Sequence, residues 1–198
     1  MKKTLLIITI IFFVFLVNLR VYIYDVNFYE HEFKKLNVYK EIPKEIALEN
    51  TNKLISLFKE NKELDTDFFN EKERTHLNDV KSLINQAMYL LYISIFLLII
   101  LLILNLKNLS RIFLVSGLLI IFFILISLFI NFDYFFILFH KISFRNDLWL
   151  LNPETDNLIK LFSIGFFKDF LIRIGINSFV FALFLVMDGL LLRRFEKA

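Results

Sequence analysis

The sequence predicts an all-α membrane protein with four transmembrane helices, a helical extracytoplasmic cap and both termini in the cytoplasm. Of the 198 residues, 58% are hydrophobic, whereas the charged fraction is 22%, close to the roughly one quarter that is usual in soluble domains. The excess apolar residues must therefore be concentrated in blocks. Four such blocks approach the roughly 20 residues that a helix needs to cross a bilayer.

The predicted spans are the longest apolar stretches of the chain, and few polar residues interrupt them. The second and third carry no charge over Ala87 to Leu104 and Ile112 to Ile130. The first ends near Arg20, and the fourth contains Asn177 and Asp188. A buried helix of a soluble protein rarely stays apolar on every face for this length. We therefore expect spans at about 5–23, 86–105, 112–131 and 172–192.

The distribution of basic residues predicts the orientation of these spans. The three short flanking segments hold seven basic residues and one acid, Glu196. The longer segments are slightly acidic, with 11 basic against 13 acidic residues in 20–84 and 4 against 5 in 131–169. Because Lys and Arg are enriched on the cytoplasmic side, the short flanks are expected there. Their basic residues are Lys2, Lys3, Lys107, Arg111, Arg193, Arg194 and Lys197.

The first apolar stretch could also be a cleaved signal peptide, since it follows Met-Lys-Lys at the N-terminus. Its apolar core is long for that role, and no small-residue cleavage site follows it. An uncleaved anchor is therefore favoured.

The remaining segments, about 24–84 and 132–169, are expected to form an extracytoplasmic cap on a single integral membrane domain that covers residues 1–198. Apolar spacing behind Pro43 predicts a helix over Glu45 to Lys59. Asn70 followed by Glu73 is typical of a helix N-cap with its capping-box partner. From there a helix can run without a breaker into the second span.

The composition excludes several functional classes. Zero Cys rules out disulfide scaffolds, thiolate zinc sites and cysteine nucleophiles, and the four Gly lack the spacing of a phosphate-binding loop. The net charge of +3 reflects the cytoplasmic flanks, so no nucleic-acid partner is expected. No cofactor is expected either. A metal site made of His31, His76 and His140 has no support from their spacing.

The first candidate site lies just before the second span. His76 and Asp79 are three residues apart, which puts them on one face of a helix. A carboxylate near an imidazole can fix its tautomer and raise its pKa, as a general base requires. The alternative is a solvated helix face that carries a His among charges.

The second candidate site follows Tyr134 to Phe139, an apolar run too short to cross a membrane, which indicates an interfacial or re-entrant segment. The cost of unpaired polar groups at membrane level indicates a site, and an ordinary aromatic belt with snorkelling Lys and Arg is the alternative. Trp149, the only Trp, suits the interface. An acid/base and oxyanion site could use His140, Arg145, Asn146 and Asp147.

Other polar residues near the spans are weaker candidates. Arg173, on the outer side of the fourth span, could meet a substrate carbonyl or a lipid phosphate. Asp188 is close enough to Arg193 to be paired or hydrated, and His31 lies among charges, where a structural or solvated role is expected.

The candidate residues and their neighbours form three groups along the chain. The positions are Tyr29, Glu32 and Phe33 after the first span; Phe69, Asn70, Glu73, His76, Asn78, Asp79, Val80 and Lys81 before the second; and Phe139, His140, Ile142, Phe144, Asn146, Asp147, Trp149, Pro153, Asp156, Phe166 and Phe167 before the fourth. The set resembles the Lit-type lipoprotein intramolecular transacylases, small four-span bacterial membrane enzymes, over most of the chain. Two positions depart from that family: Leu77 replaces Met, and Lys141 replaces an acidic residue, which removes a partner role for the position after His140.

The resemblance implies an acyl transfer within one lipoprotein. The family moves the sn-2 acyl chain of a diacylglyceryl-Cys to the α-amino group of the same Cys, which gives the lyso form. The implied partners are a diacylglyceryl-modified lipoprotein and membrane lipid, with the active site of a multi-pass cell-membrane protein at the extracytoplasmic leaflet.

Such a transfer needs a base for the amine, a donor for the oxyanion and an acid for the departing alkoxide. His76 and His140 are the hypothetical acid/base pair. Asp79 would orient His76, and the other supporting residues are Arg145, Asn146 and Trp149 as oxyanion donors, with Asp147 and Asp156.

Two alternatives differ from this hypothesis. A non-enzymatic membrane scaffold or lipid-binding subunit with an outer cap would tolerate the loss of both histidines and keep their imidazoles apart. A protein of the same fold could act on another lipid or another lipid-modified protein. Within the enzyme hypothesis, either histidine can serve as the base, and a covalent acyl-histidine is an alternative route. No oligomeric state is predicted.

Overall fold

The protein is described here by a computed structural model that covers residues 2–60 and 62–196, and within these ranges it is helical and has no strand. Short 3-10 turns at Val38–Lys40 and Leu106–Asn108 connect some of the longer elements. The α-helices of the described residues are α1 (Lys2–Ile23), α2 (Val26–Lys35), α3 (Lys44–Glu60), α4 (Glu71–Leu104), α5 (Leu109–Ser127), α6 (Phe132–Ser143), α7 (Asn157–Leu161) and α8 (Ile164–Phe195).

The predicted all-α architecture is confirmed for the described residues, and so is the number of helices that could span a membrane. Within the described residues, the helical segments long and apolar enough to cross a membrane number four. Two of them, α4 and α8, begin well before the predicted spans, because no breaker separates the polar helix start from the apolar part. In contrast, α5 ends at Ser127, whereas the predicted span continues to about 131. Residues 128–130 form a turn before α6 begins. Lys197, counted among the basic flanks, lies outside the described residues.

The first of two compact units, called the membrane unit, comprises Met1–Arg20, Ala87–Ile130 and Ile172–Ala198. Large apolar side chains cover its surface, with Phe96 64% and Ile103 63% exposed. An apolar surface of this extent suits lipid tails better than water. Inside the unit, Asn18 Nδ2 donates to Ser178 Oγ at 3.4 Å. The buried apolar core consists of Leu6, Ile10, Val14, Leu101, Ile112, Ile120, Ala182 and Leu185.

Glycines allow α5 and α8 to approach closely within the membrane unit. A Cβ atom on Gly117 would lie 2.7 Å from the carbonyl oxygen of Ala182, and one on Gly189 would lie 2.7 Å from the backbone nitrogen of Leu114. Small residues at such contacts are a common basis of helix association in lipid, where backbones must pack directly.

The second unit comprises Val21–Gln86 and Asn131–Leu171 and has an aromatic core. The predicted helix over Glu45 to Lys59 is confirmed as α3. Sequence analysis missed α2, which is capped by Asp25 through a 3.0 Å hydrogen bond from the Asn27 amide. The buried stripe of α2 includes the charged Glu32, which interrupts the apolar pattern. The aromatic core consists mainly of Phe28, Tyr29, Phe33, Phe69 and Phe166.

Glu32 joins α2 to α8 through an ion network. Its side chain is completely buried, and Oε2 lies 3.5 Å from Nζ of Lys35, which also pairs with Asp169 at 2.7 Å. A buried carboxylate is tolerated when a cation is near, so Lys35 explains why Glu32 can occupy a core position.

We predict that Gly189→Ala destabilises the protein by about 1–3 kcal/mol, the usual effect of overpacking, because its new methyl group would press on the backbone of α5. Thermal unfolding of the detergent-solubilised protein measures the effect. Gly175→Ala is the matched control on the same helix, because a Cβ there meets nothing within 4 Å. An equal loss of stability in both variants would contradict the close approach of the two helices.

Candidate active site

The N-terminus of α4 is fixed by a capping box, as the sequence predicts. The Asn70 amide donates to Glu73 Oε2 at 2.7 Å, and the Glu73 amide donates to Asn70 Oδ1 at 2.9 Å. These reciprocal bonds satisfy amide groups that a helix start leaves open. Because His76 follows Glu73 by about one helical turn, the capping box also fixes the position of the His76 imidazole.

The same carboxylate binds the segment that follows α6. Glu73 is only 1% exposed, and its Oε1 accepts a hydrogen bond from the Leu158 amide at 2.6 Å. Nearby, Asn70 Nδ2 donates to Asp156 Oδ1 at 3.0 Å. Glu73 and Asn70 therefore hold the end of this segment against the helix that carries His76.

His140 lies near the C-terminal end of α6 with its tautomer set by the helix. Its Nδ1 lies 2.7 Å from the carbonyl oxygen of Phe136, one turn earlier. A carbonyl oxygen can only accept, so Nδ1 carries the proton of this bond. In the neutral imidazole, Nε2 is then the nitrogen with a free lone pair.

The two histidines meet inside the second unit. Their ring centroids are 6.2 Å apart, with the ring planes inclined by 32°. His76 is 6% and His140 8% exposed. Among the described residues, no hydrogen bond joins the two rings, and Nδ1 of His76 is buried without a partner.

Burial lowers the pKa of both imidazoles. For His76, loss of hydration is the main cause and the positive charge on a protonated His140 the second, whereas the carboxylate of Asp79 acts in the opposite direction. The resulting pKa of His76 is about 4, against an ordinary value of 6.5. The pKa of His140 is also lowered by burial, while the bond to the Phe136 carbonyl opposes the shift. Both rings are therefore neutral at pH 7.

Asp79 was expected to orient His76 directly, but its described hydrogen bond is to another candidate. Asn146 Nδ2 donates to Asp79 Oδ2 at 2.9 Å. Asp79 acts on His76 through its charge, while Asn146 links α4 to the segment after α6. The expected spacing on one helix is present, and among the described residues no hydrogen bond joins Asp79 to His76.

The remaining supporting candidates lie in different environments. Trp149 packs beside His140, with ring centroids 4.9 Å apart. Arg145 and Asp147 have exposed side chains with no hydrogen bond or ion pair to any described residue. Asp156 is buried and accepts from the Asn152 amide at 2.8 Å. This bond, first among several, lowers the pKa of Asp156, so its carboxylate serves the turn that precedes α7.

Phe136 and Phe144 are two site residues that the sequence reasoning did not select as candidates. Phe136 supplies the carbonyl that fixes His140 and packs its ring 4.2 Å from the imidazole. Phe144 packs against His76 at 4.9 Å and against His140 at 5.6 Å. Both lie four residues from His140, so the helical spacing around that histidine is the signal that could have found them.

The third histidine does not join this site. The side chain of His31 is 61% exposed, and its Nε2 lies 3.9 Å from Glu32 Oε1. In the described part of the chain, no three His, Asp or Glu side chains come together as a metal site requires.

A protein-family model described as "Lipoprotein intramolecular transacylase Lit" matches residues 4–167. A search of curated proteins finds no match to the chain.

Three solved structures share the fold, and all are of the membrane integral lipoprotein intramolecular transacylase Lit from Bacillus cereus. The first has a TM-score of 0.88 and 24% identity and covers 100% of this chain and 97% of its own. A variant with one histidine changed to arginine has a TM-score of 0.84 and 25% identity and covers 99% of this chain and 92% of its own. A variant with one histidine changed to alanine has a TM-score of 0.85 and 25% identity and covers 99% of this chain and 94% of its own.

We predict that the His76 imidazole stays neutral at about pH 5.5, where an ordinary histidine is mostly protonated, because burial lowers its pKa to about 4. Nitrogen-15 NMR of labelled protein reports this state, and His76→Ala identifies the signal. Asp79→Asn should lower the pKa further, since it removes a charge that favours the imidazolium. A His76 signal that titrates near pH 6.5 would contradict the buried site.

The same shift predicts how stability depends on pH. The unfolded chain binds a proton at this position below pH 6.5, whereas the folded chain binds it only near pH 4. Stability should therefore fall as the pH falls through this window. Thermal unfolding of wild type and His76→Ala over that range measures the contribution, which should be absent from the variant.

Proposed function

Because the chain belongs to the lipoprotein intramolecular transacylase Lit family, we propose that it moves the sn-2 acyl chain of a diacylglyceryl-Cys lipoprotein to the α-amino group of the same Cys. The product is a lyso-form lipoprotein with an N-acyl chain. The protein is accordingly an acyltransferase and a multi-pass membrane protein. The pairing of two buried, neutral imidazoles is the observation that carries the proposed mechanism.

The reaction forms an amide bond and breaks an ester bond within one molecule. The amine nitrogen attacks the sn-2 carbonyl carbon, loses one proton, and the glyceryl oxygen leaves and gains one proton. No water is consumed, and the net result is an isomerisation. A base must therefore take the proton from the amine nitrogen, and an acid must then give one to the glyceryl oxygen of the same tetrahedral intermediate.

His140 is suited to begin as the base. Its Nδ1–H is bound to the Phe136 carbonyl at 2.7 Å, so the lone pair of Nε2 is available for the proton of the attacking amine. The same carbonyl stabilises the imidazolium that forms, because it keeps a hydrogen bond to Nδ1 as the ring becomes charged. This role parallels the carboxylate or carbonyl that orients a catalytic histidine in other enzymes.

His76 completes the acid/base pair. Its ring centroid lies 6.2 Å from that of His140, close enough for one reacting group to contact both imidazoles. A protonated His76 would be a strong acid, because burial lowers its pKa to about 4, so a proton on this ring passes readily to the leaving group. The pair then returns one proton to the departing glyceryl oxygen.

The oxyanion donors are proposed from the residues beside the pair. Asn146 uses one amide N–H for Asp79 and has a second one to offer. Trp149 has an indole N–H on a ring that packs against His140. The guanidinium of Arg145 is exposed and is the third proposed donor. Preorganised donors of this kind stabilise charge that develops in the transition state.

We propose that this site faces the extracytoplasmic leaflet and that both termini are cytoplasmic. The long segments 20–84 and 131–169 contain both candidate histidines and all the proposed supporting residues and are slightly acidic, whereas the short flanks are basic. The charge rule for short flanks supports this orientation. One integral membrane domain with an outer cap, over about 24–84 and 132–169, follows from the same reasoning.

We predict that His76→Ala and His140→Ala each reduce the conversion by about 100-fold or more, the usual effect of losing a general acid or base. Each variant should be expressed in a bacterium that lacks lipoprotein N-acylation. Mass spectrometry of N-terminal lipopeptides then measures the lyso product.

His31→Ala is the matched control, because that imidazole is exposed and lies outside the site. It should convert substrate as wild type does. Activity in both His76→Ala and His140→Ala, at normal membrane levels, would refute the assigned roles.

The orientation can be tested by labelling, since the chain has no Cys. Lys62→Cys lies in the proposed cap and Lys107→Cys in the short turn between spans, and both side chains are exposed. A membrane-impermeant maleimide should label Lys62→Cys in intact cells and Lys107→Cys only after permeabilisation. The reverse pattern would overturn the proposed topology.

A further inference from the structure

A transacylase that uses a neutral base must avoid a competing reaction. A base that can deprotonate an amine can also activate water, and water that attacks the same ester carbonyl would release a free fatty acid. The amine would then remain unacylated. The site must therefore favour one nucleophile over the other, and exclusion of water is one established means.

An aromatic enclosure surrounds the imidazoles of the second unit. The ring of Phe144 contacts both histidines, at 4.9 Å from His76 and 5.6 Å from His140. His140 is also flanked by Phe136 at 4.2 Å, Trp149 at 4.9 Å and Phe139 at 5.4 Å. Phe144 itself is only 8% exposed. We call these four rings, Phe136, Phe139, Phe144 and Trp149, the aromatic collar.

The histidines show the effect of this enclosure. Nδ1 of His76 is buried, and no described residue forms a hydrogen bond with it. Both imidazoles are less than one tenth exposed. Apolar rings and not solvent thus surround the groups that handle protons.

Hydrogen bonds to α4 hold the part of the collar that follows α6. Lys72 Nζ donates to the carbonyl oxygen of Leu150 at 2.5 Å, next to Trp149. Asn146 binds Asp79, and Leu158 binds Glu73, at 2.9 and 2.6 Å. These bonds lie on both sides of Trp149 along the chain, so the segment forms a strap that keeps Phe144 and Trp149 over the imidazoles.

We propose that Phe144 and Trp149 determine reaction specificity: they keep water from the ester so that the acyl chain passes to the amine and is not hydrolysed. This inference rests on the proposed transacylase function. In transfer, the new N–C bond replaces the sn-2 C–O bond. In hydrolysis, the water oxygen forms the new C–O bond, the sn-2 bond breaks, one water proton goes to the glyceryl oxygen and a fatty acid leaves.

The test compares both products from purified protein and a diacylglyceryl lipopeptide in water enriched with oxygen-18. Phe144→Leu keeps an apolar side chain but opens the collar, and it should raise the ratio of free fatty acid to N-acyl lyso product by about tenfold or more. The released fatty acid should carry oxygen-18. If Phe144→Leu does not fold, Trp149→Leu is the second variant. Trp149 is only half-buried, so its replacement disturbs the packing less.

Phe135→Leu is the matched control. This exposed residue of α6 has the same side chain, and in the described part of the chain its ring contacts neither histidine. Its product ratio should equal that of wild type. A simple packing defect would slow both products together and leave the ratio unchanged.

The outcomes separate this inference from the function on which it rests. If wild type forms no N-acyl product, the proposed function fails. If wild type transfers the chain and both collar variants lose rate at a constant product ratio, the transacylase stands and the role of the collar is overturned. A higher proportion of labelled fatty acid in either variant supports the collar as the specificity element.

Discussion

The site depends on one carboxylate that binds two backbone segments at once. Glu73 accepts the Asn70 amide through Oε2 and the Leu158 amide through Oε1. Hydrogen bonds to a charged group are each worth about 1.5–3 kcal/mol, and this carboxylate is almost fully buried. It fixes where α4 begins and therefore the position of His76 one turn later. It also holds the segment that brings Phe144 and Trp149 to the imidazoles.

Burial gives the histidines their chemical character. An imidazole without hydration resists protonation, so the resting pair is neutral and offers a lone pair at pH 7. The neutral state carries two consequences: the pair can accept a proton from an amine, and it presents no fixed positive charge that would attract water or anions. Asp79 moderates this, since its charge favours the proton during the reaction.

The sequence predicts features that are local or depend on the mean hydropathy of a long segment, and it misses those that depend on contacts between distant segments. The four spans follow from apolar length, and the capping box follows from Asn70 and Glu73 alone. Helix α2 was missed because Glu32 occupies its buried stripe, and only Lys35 and Asp169, which the fold brings near, make that position tolerable. The proximity of His76 and His140 could not come from spacing, because they lie on separate helices. The partner of Asp79 was unpredictable for the same reason, since Asn146 reaches it from another segment.

The small number of proposed catalytic groups agrees with the intramolecular nature of the reaction. Amine and ester belong to one substrate, so correct orientation alone supplies a large rate advantage, equivalent to effective concentrations of about 10⁵ M or more. A nucleophilic side chain, which would form an acyl-enzyme and have to release it, adds little under these conditions. Two neutral imidazoles can then suffice for the proton transfers. Such a site must in addition protect the ester from water, because a base that deprotonates the amine can also deprotonate water. The dense aromatic packing around the histidines meets that requirement, with Phe144 as a side chain that has no polar group and Trp149 as one that also carries a donor.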